Sequence, residues 1–551
     1  MKQQSLLPEY KWLYLFIGLA VLVNFSGLFV PLMDPDAGVY ATVAKNMVLR
    51  HNYSELYFQG NDWLDKPHFP FWLTALFFKI FGFHSWSYKL PGILLVLIGA
   101  RYTYLFAKRL YDEKIALWST LILLTAEHII ISNNDVRAEP FLTGLIIAAI
   151  YHFYECLQRR ISWHIVAGSF FAACAVMTKG PFTLIPVVGA IAGELVIKKE
   201  WKQLFHWRWL LALALIVVFI IPELYSLWYQ FDRFPQKMVF GKTNVSGIRF
   251  FLWDSQFGRF MNTSPMKGKG NPFFFLHTLL WAFLPWSLIM YASIFDKIKN
   301  GSKNYRQQEW FTICGSLLTL LVFSLSRFQL SYYTNIIFPL LAILAAQFVH
   351  QIQHSPAKIF RAGQQLIIFV LIAGGVLLQI FYSPAIASWF LLLLIVALLF
   401  LLIMFPNWLQ ANKNVITFYR SALASLIINL YLGWFFYPDL LKYQSGSEAA
   451  FYINKYHPGL PGVCMSIYSP VYEFYLRDGW AKTDTSVLYN PGGPGILFIT
   501  QEELDLIKRR GIHYEMIKEV DEFHVTMLTL KFINKRTRYH ELKKTYLIKL
   551  L

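Results

Sequence analysis

Charge is scarce in this chain. Only 15% of its 551 residues are Asp, Glu, Lys or Arg, against 56% hydrophobic and 18% aromatic. A soluble protein of this size has no interior large enough to hide that much apolar surface, so the soluble classes are excluded. Cysteine is also sparse. Cys156, Cys174, Cys314 and Cys464 lie far apart, and three of them sit in apolar runs. That excludes a disulfide framework and any zinc-type spacing. Acidic residues number 32 against 50 Lys and Arg, for a net charge of +18. The excess does not imply nucleic acid, because most basic residues fall in short loops between apolar runs, where they orient a membrane protein. No small-x-small cleavage site follows the first apolar run, which is therefore expected to stay as a span. The NPGGPG turn (490–495) has no following helix with Lys-Ser/Thr, so it is punctuation rather than a phosphate cradle.

What the chain does have is apolar runs. About thirteen approach the roughly 20 residues needed to cross a bilayer. They lie near 12–32, 88–107, 115–131, 139–157, 163–178, 182–198, 208–228, 272–294, 310–327, 332–350, 364–382, 386–405 and 415–437. If every run crosses, the basic loops around Lys108–Lys114, Arg159–Arg160, Lys198–Arg208, Lys297–Arg306, Lys358–Arg361 and Lys413–Arg420 share one side. The positive-inside rule makes that side the cytoplasm. The expected fold is a polytopic α-helical membrane unit over 1–440. A small extracytoplasmic α/β unit follows over 441–551, where GVCMSIY, GILFIT and FHVTMLTLKF read as strands. Ser469–Leu476 and Gln501–Arg510 read as helices, the second capped by Thr500.

The polar excursion from Pro31 to Trp72 organises the outer face. It carries Asp34, Asp36, Asp65 and Lys66, with two short apolar-patterned helices expected to lie flat in the interface. Asp36 could simply cap its helix, but that leaves Asp34, Asp65 and Lys66 unexplained. Asp135, Arg137 and Glu139 fill a very short loop between two long runs, where charge close to hydrocarbon is costly. Lys179 interrupts a long apolar stretch. The loop 229–271 is basic on the outer side, with Arg259, Lys267 and Lys269 among its cations, and Arg327 ends a run in the same layer. Such cations fit a phosphate ligand through charge-assisted hydrogen bonds. His68, Glu127 and His128 lack partners at fixed spacing and read as structural. No motif calls for a cofactor, while a divalent cation held by Asp and His from different loops stays open.

Acids, phosphate-seeking cations and aromatics at headgroup height suit transfer between a lipid-phosphate donor and an acceptor outside the cytoplasm. The ordered segments PLMDPDAGVYATVAKNM, WLDKPHFPFW, NNDVRAEPF, TKGP, KGKGNPFFF and SLSRFQLSYY resemble the GT-C glycosyltransferases of the protein mannosyltransferase-like group, on the side of the bacterial lipid A aminoarabinose transferases. The resemblance spans about 1–340. It implies a bacterial inner-membrane enzyme, a polyprenyl-phosphate sugar donor and inverting transfer to a lipid, glycan or protein acceptor among the membrane lipids. By position it implies Asp36 and Asp135 as catalytic aspartates. It aligns Asp65-Lys66 with a Glu-Lys pair, and Tyr40 with a site tyrosine. Where those transferases carry Asp-Glu-Ala-Arg-Tyr, this chain has Asp36-Ala37-Gly38-Val39-Tyr40, lacking one acid and one arginine. Where they favour Lys-Leu-Pro-Thr-Tyr, it has Gln329-Leu330-Ser331-Tyr332-Tyr333. The rival class is a flippase for a lipid-linked anion, which would show internal repeats and helices broken at mid-membrane. No repeat is found.

Overall fold

The computed structural model describes residues 8–158, 162–263, 267–301, 305–384, 389–408, 411–483 and 495–551. Arg159, Arg160, Lys303 and residues 490–494 of the NPGGPG turn lie outside that set. Among the described residues the apolar runs fall largely on helix, but not always on one straight helix, and the 12–32 run leaves helix after Asn24. Among the described residues six helices are long and apolar enough to cross a membrane, or seven if one bent pair is a single span. The protein is a multi-pass membrane protein.

Two runs break for identifiable reasons. The 115–131 run divides into Glu113–Thr125 and Glu127–Asn134, bent by 50°. Ala126 is extended at the joint, and the Glu127 N–H donates to the Leu284 carbonyl (2.8 Å) instead of continuing the helical ladder. The 272–294 run divides into Phe274–Ala282 and Ser287–Gly301 around Pro285, which has no N–H to give. Where helices face outward they stay greasy. The Lys358–Phe381 helix has only 11% of its apolar window buried, with Phe369 and Ile380 exposed, as a lipid-facing helix requires.

The two helices of the first loop differ from the flat interfacial pair expected. Asp36–Leu49 is buried along nearly its whole first half, from Ala37 to Ala44. It lies between the Phe69–Phe81 helix and the short Pro470–Tyr475 helix. Gly38 makes that approach feasible, since a Cβ there would come within 2.9 Å of Pro470 and Val471 side-chain atoms. Phe69–Phe81 does keep an apolar exposed face, with Leu76, Ile80 and Phe81 outward and Phe71, Ala75 and Phe78 inward.

The C-terminal region forms a five-stranded sheet. Its order is Trp480–Lys482, Gly462–Cys464, Ile496–Thr500, Lys543–Leu550, Tyr514–Glu522. The first two pairings are parallel and the last two antiparallel. Gln501–Arg509 is a helix with the Thr500–Glu503 capping box in place. FHVTMLTLKF is not a strand. It runs as loop into the short Leu530–Ile533 helix, and Phe523, Val525 and Phe532 join a buried cluster with Tyr382, Phe435 and Phe436 from the membrane helices. Its β-favouring side chains are spent on that docking contact. The antiparallel side of the sheet instead comes from two segments carrying alternating charge, Lys543–Leu550 and, at the edge, Tyr514–Glu522.

Candidate active site

Short-range geometry first fixes the acids. Asp36 is the first residue of its helix, with Pro35 preceding it, and its side chain makes no cap. The carboxylate is therefore free to point away from its own backbone. Arg137 meets it, with Nη1 donating to Asp36 Oδ2 at 2.5 Å. The same guanidinium donates from Nε to Asp135 Oδ2 at 2.9 Å. Lys179 pairs with Glu139, and Asp65 is held by both Lys66 (2.5 Å) and Arg259. His68 fixes the Asp65–Lys66 turn from below, its Nδ1 3.0 Å from Glu223 Oε1 and its backbone N–H donating to Glu223 Oε2 at 2.9 Å.

The Arg137–Asp36, Lys179–Glu139 and Lys66–Asp65–Arg259 groups border a single cavity of about 420 Å³. Asp36, Tyr40, Asp65, Lys66, Arg137, Glu139, Lys179 and Arg259 all reach it. Tyr40 is wedged edge-on against Trp63 and Phe71, at centroid distances of 6.2 and 5.3 Å, which fixes its hydroxyl direction. Exposure separates the carboxylates. Asp36 keeps 42% of its side chain accessible, against 14% for Asp65 and 2% for Glu139. Asp36 is thus the acid that an incoming group can touch.

Electrostatics divides them further. Burial pushes the Asp36 carboxyl above the ordinary aspartate range, with Asp135 adding to it and Arg137 opposing. Burial also acts on Asp65, but Lys66 and Arg259 outweigh it and hold that carboxyl below the usual value. Burial opposes the charge on Arg137, yet Asp135 and Asp36 together raise its pKa further. Asp36 is the more basic carboxylate of the two, and Asp65 is a fixed anion that orients two cations.

Several expected residues lie elsewhere. Asp135 stands behind Arg137 and does not border the cavity, so it reaches the site through that guanidinium. Asp34 turns the other way and accepts from Ser469 Oγ (2.5 Å) and the Val471 N–H (3.0 Å). Lys267, Lys269 and Arg327 are exposed and outside the cavity. The reason is local. Gly268 and Gly270 face the 326–328 backbone so closely that a Cβ would sit 2.6 Å from its carbonyl oxygens, leaving the alternating lysines outward.

The chain's sequence did not point to Tyr332, Tyr333, Phe328 or His524, which also border the cavity. Arg137 lies 4.7 Å from the Tyr332 ring centroid and Lys179 lies 3.7 Å from that of Tyr333. The Tyr332-Tyr333 doublet, five residues on from Arg327, was the available signal; His524 had none. Beside the cavity runs a second, apolar recess lined by Leu142, Phe182, Phe260, Phe323 and Ile336. Lys179, Arg259, Phe328 and Tyr333 border both spaces. Among the described residues no group of three or more His, Cys, Asp or Glu converges to hold a metal ion.

The class that this fold defines is that of polytopic α-helical membrane proteins. Within it, the chain resembles the bacterial aminoarabinose transferases in both sequence and fold. ArnT from Cupriavidus metallidurans in the apo state superposes with a TM-score of 0.74 at 16% identity, over 98% of each chain. The same protein bound to undecaprenyl phosphate gives 0.71 at 18%, again over 98% of each. Residues 65–226 match the model for "Dolichyl-phosphate-mannose-protein mannosyltransferase", a stretch that includes Asp65, Lys66, Arg137 and Lys179 but not Asp36 or Arg259. An uncharacterized protein of Aquifex aeolicus is 24% identical over 62% of this chain and 64% of its own length. The undecaprenyl phosphate-alpha-4-amino-4-deoxy-L-arabinose arabinosyl transferase of Erwinia tasmaniensis is 24% identical over 65% and 62%. The chain thus spans somewhat under two thirds of the length of these first curated relatives.

Proposed function

We propose that this protein is an integral membrane glycosyltransferase of the bacterial inner membrane, using a polyprenyl-phosphate-linked sugar donor and acting on the periplasmic face. The observation that carries the reading is the meeting of two spaces at Lys179 and Arg259. A largely apolar recess there shares Lys179, Arg259, Phe328 and Tyr333 with a cavity rich in cations. A lipid phosphate has its charge and its tail satisfied together at such a junction.

The reaction follows from that placement. An acceptor oxygen attacks the anomeric carbon of the donor sugar from the side of Asp36. The bond from that carbon to the phosphate oxygen breaks, and the polyprenyl phosphate leaves with the electron pair. Lys66, Arg259 and Lys179 stabilise the charge that grows on it. A hydroxyl acceptor gives its proton to Asp36, and attack opposite the leaving group inverts the anomeric centre. Asp135 acts as a positioning residue, holding Arg137 against Asp36. The acceptor is a lipid of the lipid A type, a surface glycan or a protein hydroxyl. Residues 441–551 form a separate periplasmic unit in this reading.

The test is incubation of membranes containing the protein with a panel of radiolabelled polyprenyl-phosphate sugars. Label is expected to leave the lipid for an acceptor. Intact labelled lipid crossing the bilayer, with no transfer, would instead indicate a flippase.

A further inference from the structure

A second cavity, of about 710 Å³, lies between the first loop and the C-terminal sheet. It is bounded by the Asp34-Pro35 turn, residues 466–469, the start of the Gln501–Arg509 helix and the facing ends of the Tyr514–Glu522 and Lys543–Leu550 strands. Its volume is within the range of small-molecule sites, roughly 300–1,000 Å³. Pro35 and His524 border both this cavity and the reaction cavity. Pro35 is the residue before Asp36, so whatever fills the second space abuts the proposed base.

The lining has a definite chemistry. Hydroxyls come from Ser445, Ser466, Ser469, Thr500 and Thr545, and carboxylates from Asp34, Glu502 and Glu522; Lys543 and Lys544 also line it, Lys544 being paired with Glu519 and Asp521. In the reaction cavity Asp36, Asp65 and Glu139 are each paired with a Lys or Arg. Here, among the described residues, neither Asp34 nor Glu522 has a lysine or arginine at ion-pair distance. Asp34 accepts from Ser469 and the Val471 N–H, and Glu522 Oε2 accepts from the Ser445 N–H at 2.8 Å. A carboxylate offers about four acceptor positions, so both retain capacity for further donors. Tyr468 adds a ring that is 57% exposed. Carboxylates and hydroxyls beside an exposed aromatic face match a ligand with many hydroxyl donors and a flat C–H face, which is a sugar.

We propose that this cavity binds the carbohydrate headgroup of the acceptor, with Asp34 and Glu522 accepting from its hydroxyls and Tyr468 stacking on a ring. The proposal rests on the glycosyl-transfer reading and names the class of its acceptor. It also gives Asp34 a role distinct from that of Asp36.

Full-length protein in nanodiscs would be titrated with methyl glucoside, methyl galactoside and chitobiose, read by saturation-transfer NMR. A Ser/Thr-rich peptide serves as the polypeptide arm. Undecaprenyl phosphate binding, read by tryptophan quenching, is followed separately. At least one glycoside is expected to bind at millimolar concentration. Ser466→Trp fills the cavity from an exposed position and should abolish that signal. Glu522→Gln should weaken it by about 10-fold, the loss of a hydrogen bond to a charged group. Undecaprenyl phosphate binding should be unchanged in both variants, which also shows that they fold. Absence of any glycoside signal, its survival in Ser466→Trp, or binding of the peptide in place of glycosides would overturn the proposal. Failure of the unsubstituted protein to bind undecaprenyl phosphate would count against the glycosyl-transfer reading alone.

Discussion

At the scale of single residues, Asp36 and Lys66 carry the most weight. Asp36 combines accessibility with a raised pKa, and both follow from its place at a helix start facing Arg137. Asp36→Asn preserves the shape of the side chain but cannot take a proton. Turnover of lipid-linked sugar should fall by about 10²–10⁴-fold while the folded protein persists. Near-normal turnover in that variant, with loss in Asp135→Asn, would mean that the base has been misnamed. The pH dependence follows with its sign. The base works deprotonated, so kcat/KM should rise with pH through the Asp36 pKa, with its midpoint above the ordinary aspartate value of 3.8. In the proposed reaction Lys66 acts on the donor instead. It borders the cavity and is pinned by Asp65, so Lys66→Met should weaken binding of a polyprenyl-phosphate sugar as well as slow turnover. Equilibrium binding to the purified variant checks this, and unchanged affinity would move the phosphate elsewhere.

At the scale of elements, the decisive contact joins the Asp36–Leu49 helix to the Pro470–Tyr475 helix. Lys45 donates to three carbonyls at the end of the latter, Glu473 (3.2 Å), Phe474 (2.7 Å) and Leu476 (2.8 Å). A cation there satisfies acceptors that a helix end leaves open. Lys45→Met should destabilise the protein by about 1–3 kcal/mol, the cost of stranding buried acceptors, and lower the thermal midpoint. Two carboxyls in the same contact, Asp34 and Glu473, are pushed up by burial to about 7. A carboxyl whose folded pKa lies above its unfolded value binds more protons when folded. Its stabilising contribution is full below the unfolded pKa and is lost as pH rises through about 7. The thermal midpoint should therefore drop as pH rises from about 5 to about 8, and Asp34→Asn should flatten that slope. Lys45 is pushed down to about 8, so its own effect on the slope appears only at higher pH.

At the scale of the whole molecule, every group of the proposed site comes from loops that the charge pattern assigns to one side. A periplasm-active reporter fused after Lys442 should be active, and one fused after Arg306 should be silent. The reverse at either site would break the layout and separate the acids from a common face.

The amino-acid sequence by itself determined the membrane class, the helical runs and the identity of most charged groups in the cavity. Hydrophobic runs and stranded charges are local signals, and lipid leaves an apolar chain few alternatives to helix. The Asp36, Asp65-Lys66, Arg137-Glu139 and Lys179 positions were legible because a charge beside hydrocarbon needs a reason. Tertiary structure alone decided which of them meet. Nothing local places Arg137 between Asp36 and Asp135, or sends Asp34 toward Ser469 while its near neighbour Asp36 faces the cavity. Lys267 and Lys269 read as phosphate ligands by charge, yet the close approach of Gly268 and Gly270 to a neighbouring backbone turns them outward. FHVTMLTLKF has strand composition, but docking on the membrane helices claims its aromatics and brings His524 to the cavity. Propensity and charge are properties of a few neighbouring residues, whereas an active site is made by residues far apart in the chain that only packing brings together.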